Sequence, residues 1–205
     1  MQPERIHRVL SGQDRDPSAA LLRGLTALAE PAYTAAVTLR NGRYDRQKHA
    51  EVTLGKPVIS IGNVTTGGTG KTPLVIDLAR WLRQEGIHPA VLLRGYKSNE
   101  HGSDEQAELQ HALGKHVPVV ANADRAVAAE QAFERRPDLD VFLLDDGFQH
   151  RKVHRDLDLV LIDAREPFGY GHVLPRGLLR EPMHSLQRAD AVLVTRCDRV
   201  GLDTS

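Results

Sequence analysis

Cysteine is almost missing from this chain: Cys197 is the only one in 205 residues. An internal disulfide framework and a cysteine-based zinc site are thereby excluded, and a reducing, cytoplasmic setting is the simplest expectation. An excess of charge of either sign is missing too. Lys and Arg number 27 against 27 Asp and Glu, so the formal net charge is zero, which speaks against binding nucleic acid through bulk positive charge. Lysine itself is scarce, 6 against 21 arginines, so a lysine inside a motif stands out. No run reaches the ~18 consecutive apolar residues of a membrane-spanning helix. The first 18 residues are polar, with no signal-type apolar stretch behind a basic start. Internal repeats and low-complexity tracts are lacking as well. What remains, 40% hydrophobic and 26% charged residues, is the composition of one globular domain with at most a short appendage.

The chain divides near residue 50. Residues 1–17 are polar and are expected to be irregular or loosely helical. Residues 18–40 are Ala- and Leu-rich, and Pro31 predicts a break between two short helices. Arg40, Arg43, Arg46 and Lys48 follow. An apolar helix with such a basic flank can lie in a membrane interface or pack on the domain core. From residue 57 onward, short apolar runs at 57–61, 89–93, 117–121, 141–145, 159–163 and 191–195 alternate with helical stretches at 73–85, 104–113, 125–135 and 183–188. Strands that are apolar throughout are buried on both faces. Their alternation with helices predicts an α/β fold, a mostly parallel, doubly wound sheet with right-handed crossovers. The Gly- and Pro-rich stretch 164–182 is too long for a plain connection and reads as a functional loop.

The first strand runs into Thr65-Thr66-Gly67-Gly68-Thr69-Gly70-Lys71-Thr72, and Pro73 stands near the start of the next helix. Glycines let successive backbone N–H groups converge on phosphate oxygens, and the helix N-terminus adds its positive end. Lys71 can reach the β- and γ-phosphates of a nucleotide, and the Thr72 hydroxyl can ligate Mg²⁺. The usual G-x-x-x-x-G-K-[ST] pattern has its first glycine where this chain has Thr65, so the loop is a variant phosphate loop. Asp145 and Asp146 end an apolar strand, the place from which such folds hold Mg²⁺. His150 follows on the ligand-binding edge and is a candidate for orienting substrate. Its i, i+4 spacing to His154 lacks a third zinc ligand in any motif. Asp104 and Glu105 read either as a helix start capped by Ser103 or as a carboxylate pair beside the γ-phosphate, one acid taking a hydroxyl proton and the other helping with metal.

Together these segments resemble the tetraacyldisaccharide 4′-kinase family, the lipid A 4′-kinases. The resemblance runs through PVISIGNVTTGGTGKTP (57–73), LLRGY (92–96), SDE (103–105), LLDDGFQHRKVHRDLDLVLIDA (143–164), FGYGHVLPRGLLREP (168–182) and LQRADAVLVTR (186–196). Residues 20–46 are similar to that family's N-terminal membrane-associated helix. The resemblance implies a P-loop kinase core over 51–205 and a membrane-associated helical segment over 1–50. It also implies ATP and Mg²⁺, a lipid disaccharide acceptor phosphorylated on its 4′-hydroxyl, and work at the cytoplasmic face of the inner membrane. By match to the family motifs, Asp104 is the catalytic carboxylate and Glu105 its neighbour. Asp145 and Asp146 lie near metal and substrate, and Arg180 and Glu181 near the phosphosugar. Two positions depart from the family pattern: Ser103 and Gln106 flank the acid pair where Gly and Pro are usual, and Tyr170 stands where Asn is usual. Family members continue past the 191–195 strand into a C-terminal subdomain that supplies a histidine partner for the catalytic acid. A further subdomain or a second chain is therefore expected to complete the site. Rival readings are another P-loop ATPase, a small-metabolite kinase, or a nucleotide-binding module without catalysis. The run Thr195-Arg196-Cys197-Asp198 is only a weak match to a guanine-reading T-K-x-D.

Overall fold

A computed structural model describes residues 3–46, 51–95 and 100–200. Six strands form one sheet: β1 (Val58–Asn63), β2 (Pro89–Leu93), β3 (Val119–Ala121), β4 (Val141–Asp145), β5 (Leu157–Asp163) and β6 (Ala191–Thr195). Their spatial order is β3-β2-β4-β1-β5-β6, and every neighbouring pair is parallel. The unbroken apolar runs of β2 and β4 are buried at every residue, as strands covered on both faces must be.

Helices α3 (Lys71–Gln84) and α4 (Glu100–Leu113) carry the chain from β1 to β2 and on to β3. They cover one face through Val75, Ala79, Leu82 and Leu109, packed on Ile61, Val91, Leu143 and Leu161. Helix α5 (Arg125–Arg135) returns the chain to β4 across the other face, where Ala128, Ala129 and Ala132 meet Ala90, Leu92, Phe142 and Leu144. The crossovers reverse direction at β1 and β4, so the carboxyl ends of these two strands open the crevice in which doubly wound sheets bind ligands. In register, Ile61 of β1 faces Asp145 of β4.

Two expectations need correction. Helix α2 (Pro17–Arg46) is continuous, with Pro31 inside it. A proline in a helix interior costs ~3 kcal/mol, and here tertiary anchoring on both sides of Pro31 offsets it. Glu30 accepts from the Val173 amide (3.3 Å) and from Arg176 (3.1 Å), the Tyr33 hydroxyl donates to the Arg180 carbonyl (3.0 Å), and Asn41 donates to Glu181 (3.0 Å). Helix α4 starts at Glu100, so Ser103 lies within it and is not its N-cap. A short helix α1 (Pro3–Leu10) precedes α2, in agreement with the loosely helical alternative for residues 1–17.

The two sides of α2 do different things. At 100° per residue, Ala19, Glu30, Val37 and Asn41 fall on one face, and these are the residues turned to the body of the protein. On the opposite face Leu21, Leu25, Leu28 and Leu39 fall within about 60° of arc, and they are 67, 55, 80 and 63% exposed. Among the described residues no helix is long and apolar enough to cross a membrane.

Candidate active site

The phosphate loop leaves β1 at Asn63 and enters α3 at Lys71. Gly67 has φ +114°, a backbone conformation that side chains rarely adopt. Asn63 braces the loop from below: its amide donates to the Thr65 carbonyl (2.8 Å), and its Oδ1 accepts from Lys71 Nζ (3.1 Å). The loop is also tied to the 164–182 segment. The Thr66 amide donates to the Leu178 carbonyl (2.7 Å) and the Arg180 amide to the Val64 carbonyl (2.7 Å). That segment folds tightly on itself, and a Cβ on Gly177 would lie 2.2 Å from the His172 carbonyl oxygen, which only glycine avoids.

The two strand-end acids have different environments. Asp145 is 2% exposed, and neither oxygen has a hydrogen-bond partner of normal geometry among the described residues, the Asp146 amide offering only weak help. Burial, reinforced by the charge of Glu105 and only partly opposed by Lys71, pushes its carboxyl up to about 6. A buried carboxylate without a partner is costly and is a fitting ligand for a hard cation, which takes oxygen donors. Asp146, expected to be a metal ligand as well, is engaged elsewhere. With φ +53° it turns to accept from Arg180 (2.7 and 2.8 Å), and Lys71 Nζ lies 3.5 Å away. Burial alone would raise its pKa, but Lys71 and Arg180 outweigh burial and hold it below the usual carboxylate range.

These values carry a stability consequence. Asp145 has an ordinary value of 3.8 and titrates near 6 in the fold. The folded chain therefore binds this proton more tightly than the unfolded chain. The associated stability is present in full below about 3.8 and is lost as pH rises through about 6. Asp145→Asn is expected to raise the stability of the ligand-free chain at pH 7.5 by about 2–3 kcal/mol and to flatten its pH dependence between 4 and 7. In the same variant, Mg²⁺-dependent nucleotide binding should weaken more than Mg²⁺-free binding. Thermal unfolding across pH and nucleotide titrations with and without Mg²⁺ check both. An equal loss of the two binding modes would make Asp145 a structural residue only.

Beyond Asp146 lies a cavity of about 550 Å³, bordered by Thr66, Arg94, Arg125, His150, Lys152 and Arg180, with Tyr33 and Arg40 of α2 on its rim. Its lining is strongly basic. Arg125 is 1% exposed and donates to the Asn122 carbonyl (2.7 Å), while its Nε has no partner among the described residues. Burial, aided by Arg94, lowers it to about 10, so it stays charged at neutral pH. Burial and then Arg125 push His150 down to about 4, which leaves a neutral imidazole at pH 7. His154 turns away to Glu51 (3.4 Å).

Most of the predicted positions converge here: Thr65 to Thr72, Asp145, Asp146, His150 and Arg180, with Glu105 close enough for its charge to act on Asp145. Asp104 lies in α4, and its side chain falls outside the described residues. Glu181 does not face the cavity. It is wholly buried, with Arg40 (2.7 Å) on one oxygen and Asn41 (3.0 Å) and Arg188 (2.7 Å) on the other. It joins α2 to the loop that carries Arg180 and has no oxygen left for substrate. Asn63, Arg125 and Gln149 were not singled out from sequence. Gln149 spans the centre, donating to the Asn63 carbonyl (2.8 Å) and accepting from Arg180 (3.2 Å). The available signals were an Asn at a strand end inside a glycine-rich loop and an Arg directly after a capping Asp124.

Comparison with known proteins gives a consistent result. The family model described as tetraacyldisaccharide-1-P 4′-kinase matches residues 20–203. Tetraacyldisaccharide 4′-kinase of Syntrophus aciditrophicus is 43% identical over 202 residues, covering 89% of this chain and 52% of the relative. The protein of the same name from Geobacter sulfurreducens is 41% identical, covering 93% of this chain and 58% of that one. Among solved structures, the ATP complex of LpxK from Aquifex aeolicus superposes with a TM-score of 0.78 at 36% identity, over 86% of this chain and 60% of that one. The chain thus spans between half and three-fifths of the length of these relatives.

Proposed function

Because the chain belongs to the tetraacyldisaccharide-1-P 4′-kinase family, we propose that it forms the nucleotide-binding and acceptor-binding part of a kinase that moves the γ-phosphate of ATP onto the 4′-hydroxyl of tetraacyldisaccharide 1-phosphate. One observation carries the reading. Asp146 lies between Lys71, at the mouth of the phosphate loop, and Arg180, on the rim of the basic cavity. The donor and acceptor subsites therefore meet at a single carboxylate.

The loop amides and Lys71 would hold the β- and γ-phosphates. Mg²⁺ fits the site through the unpartnered Asp145 carboxylate and the Thr72 hydroxyl, with Glu105 nearby. Its contribution is to neutralise charge on the phosphate oxygens. Arg125 and Arg180, charged and partly or wholly desolvated, suit a phosphosugar. Asp104 takes the proton of the 4′-hydroxyl, whose oxygen bonds to the γ-phosphorus as the bond to the β-phosphate oxygen breaks and ADP leaves. The test is transfer of labelled γ-phosphate to tetraacyldisaccharide 1-phosphate in mixed micelles. It is run on the chain and on the chain joined to the remaining part of the Syntrophus relative. ATP binding in both forms without transfer in either would overturn the kinase reading in favour of a binding module.

The exposed leucines of α2 support placement at the cytoplasmic surface of the inner membrane, with the helix lying in the interface. Removing all of α2 would strip partners from buried Glu181 and Arg151, so point changes are the better test. Replacing Leu21, Leu25 and Leu28 by Gln is expected to reduce vesicle binding at least about tenfold while shifting fold stability by less than about 0.5 kcal/mol per exposed site. Cosedimentation with vesicles and thermal unfolding report the two. Unchanged vesicle binding would remove the membrane role of this face.

A further inference from the structure

The carboxyl ends of β5 and β6 hold the phosphate loop from the side away from the cavity. The Thr195 hydroxyl donates to the Thr69 carbonyl (2.9 Å), with the Ile162 carbonyl as a longer alternative (3.4 Å). Arg196 donates to the Gly68 carbonyl (2.6 Å) and is itself paired with Asp163. Asp163 is a hub, also accepting from the Arg165 amide (3.0 Å) and guanidinium (2.7 Å). Arg196 has φ +59° and ψ +32°, a left-handed conformation that costs a non-glycine residue free energy and persists only where the surroundings hold it.

The consequence follows from peptide planarity. In a trans peptide the C=O and the following N–H point in opposite directions. Pinning the Gly68 carbonyl aims the Thr69 amide away from β6, and pinning the Thr69 carbonyl does the same for the Gly70 amide. Both amides then point back toward the interior of the loop, where a nest of N–H groups binds an anion. Asp163 is shared by Arg165 and Arg196, so the cluster keeps one net positive charge, and the bond to the Gly68 carbonyl adds a geometric effect to it.

We propose that Thr195 and Arg196 are positioning residues that latch the phosphate loop, through its Gly68 and Thr69 carbonyls, into its nucleotide-binding shape. The proposal rests on the nucleotide reading of that loop. It also gives the Thr195-Arg196-Cys197-Asp198 run a role that does not depend on the base of the nucleotide.

Arg196→Ala removes a donor whose acceptor, the Gly68 carbonyl, belongs to an exposed residue. Thr195→Val, in contrast, leaves the carbonyl of buried Thr69 without its hydroxyl donor, so melting temperature is measured beside affinity. Thr195→Val keeps the methyl group beside Gly70 and deletes only the hydroxyl. Arg196→Ala leaves Asp163 still paired with Arg165. Losing one such bond corresponds to about fivefold in affinity. Titration with a fluorescent ATP analogue should give about fivefold weaker binding for Thr195→Val, at least that for Arg196→Ala, and wild-type binding for Thr195→Ser. Hydrogen exchange at the Thr69 and Gly70 amides should speed up in the Val variant by more than the fall in melting temperature of the ligand-free chain accounts for. Wild-type affinity in both the Val and Ala variants, or affinity loss that only tracks a lower melting temperature, overturns the latch. Lys71→Ala is measured beside them. If it binds normally, the nucleotide reading itself fails; if it loses binding while the latch variants do not, only the latch fails.

Discussion

Lys71→Ala is expected to weaken ATP binding by roughly 10²-fold and to remove detectable transfer. Two effects add. The variant loses the lysine that reaches the β- and γ-phosphates, and each charge-assisted bond is worth about 1.5–3 kcal/mol. It also uncovers a negative charge, because Lys71 Nζ lies 3.5 Å from Asp146 and is one of the two cations that hold that carboxyl below its usual range. With only Arg180 left to screen it, Asp146 would repel the incoming phosphates. Lys71→Ala combined with Asp146→Asn should therefore recover part of the lost affinity, though not the transfer. Calorimetric titration with ATP decides both points. Near wild-type affinity in the single variant would count against the phosphate-loop assignment, and no recovery in the double variant would remove Asp146 from the account.

Asp104→Asn is expected to leave ATP binding intact and to slow phosphoryl transfer by roughly 10²–10⁴-fold, the usual share of a general base. The amide keeps the shape of the side chain but cannot take the proton. A capping role predicts the loss of about 1 kcal/mol of stability for Asp104→Ala instead. That role is weakened by the start of α4 at Glu100, which puts Asp104 inside the helix, past its first turn. The neighbouring Glu105 acts electrostatically on Asp145, so this part of α4 reaches the edge where the phosphate loop lies. Single-turnover transfer, measured on the chain joined to the remaining part of a relative, separates the readings. Equal rates for parent and Asn variant would rule out Asp104 as base.

The legible parts of the fold share one property. β2, β4 and β6 occupy the expected spans, and α5 covers the expected 125–135. Their signals are local: apolar runs of strand length, or a helical period opened by a capping Asp. The positions of the glycine-rich loop after β1 and of Asp145 and Asp146 at the end of β4 were legible for a similar reason, since they follow contiguous strand residues, but the pairing of Asp146 with Arg180 and Lys71 was not. The failures are non-local. Pro31 predicted a break, but α2 is held on both sides of it by residues more than a hundred positions away, among them Val173, Arg176, Arg180 and Glu181. Glu181 read as a substrate ligand because it adjoins Arg180 in sequence. In the fold the two side chains diverge, Arg180 to Asp146 at the site and Glu181 to Arg40, Asn41 and Arg188 in the interior.

The sequence by itself determined the parallel α/β sheet, the loop that suits phosphate and the family to which the chain belongs. The sheet and the loop rest on spacing within short segments, where hydrophobic period, glycine and charge act on neighbours, and the family rests on the resemblance of whole motifs. Only the tertiary structure decided how the charges are shared out. Asp145 and Asp146 are adjacent in the chain, yet one is buried without a partner and titrates near 6, while the other bridges Lys71 and Arg180. Arg125 and Arg196 likewise became part of the site only through contacts that the fold brings together. A buried charge is governed by desolvation and by the charges around it, and those come from strands, loops and helices that meet only when the sheet has formed.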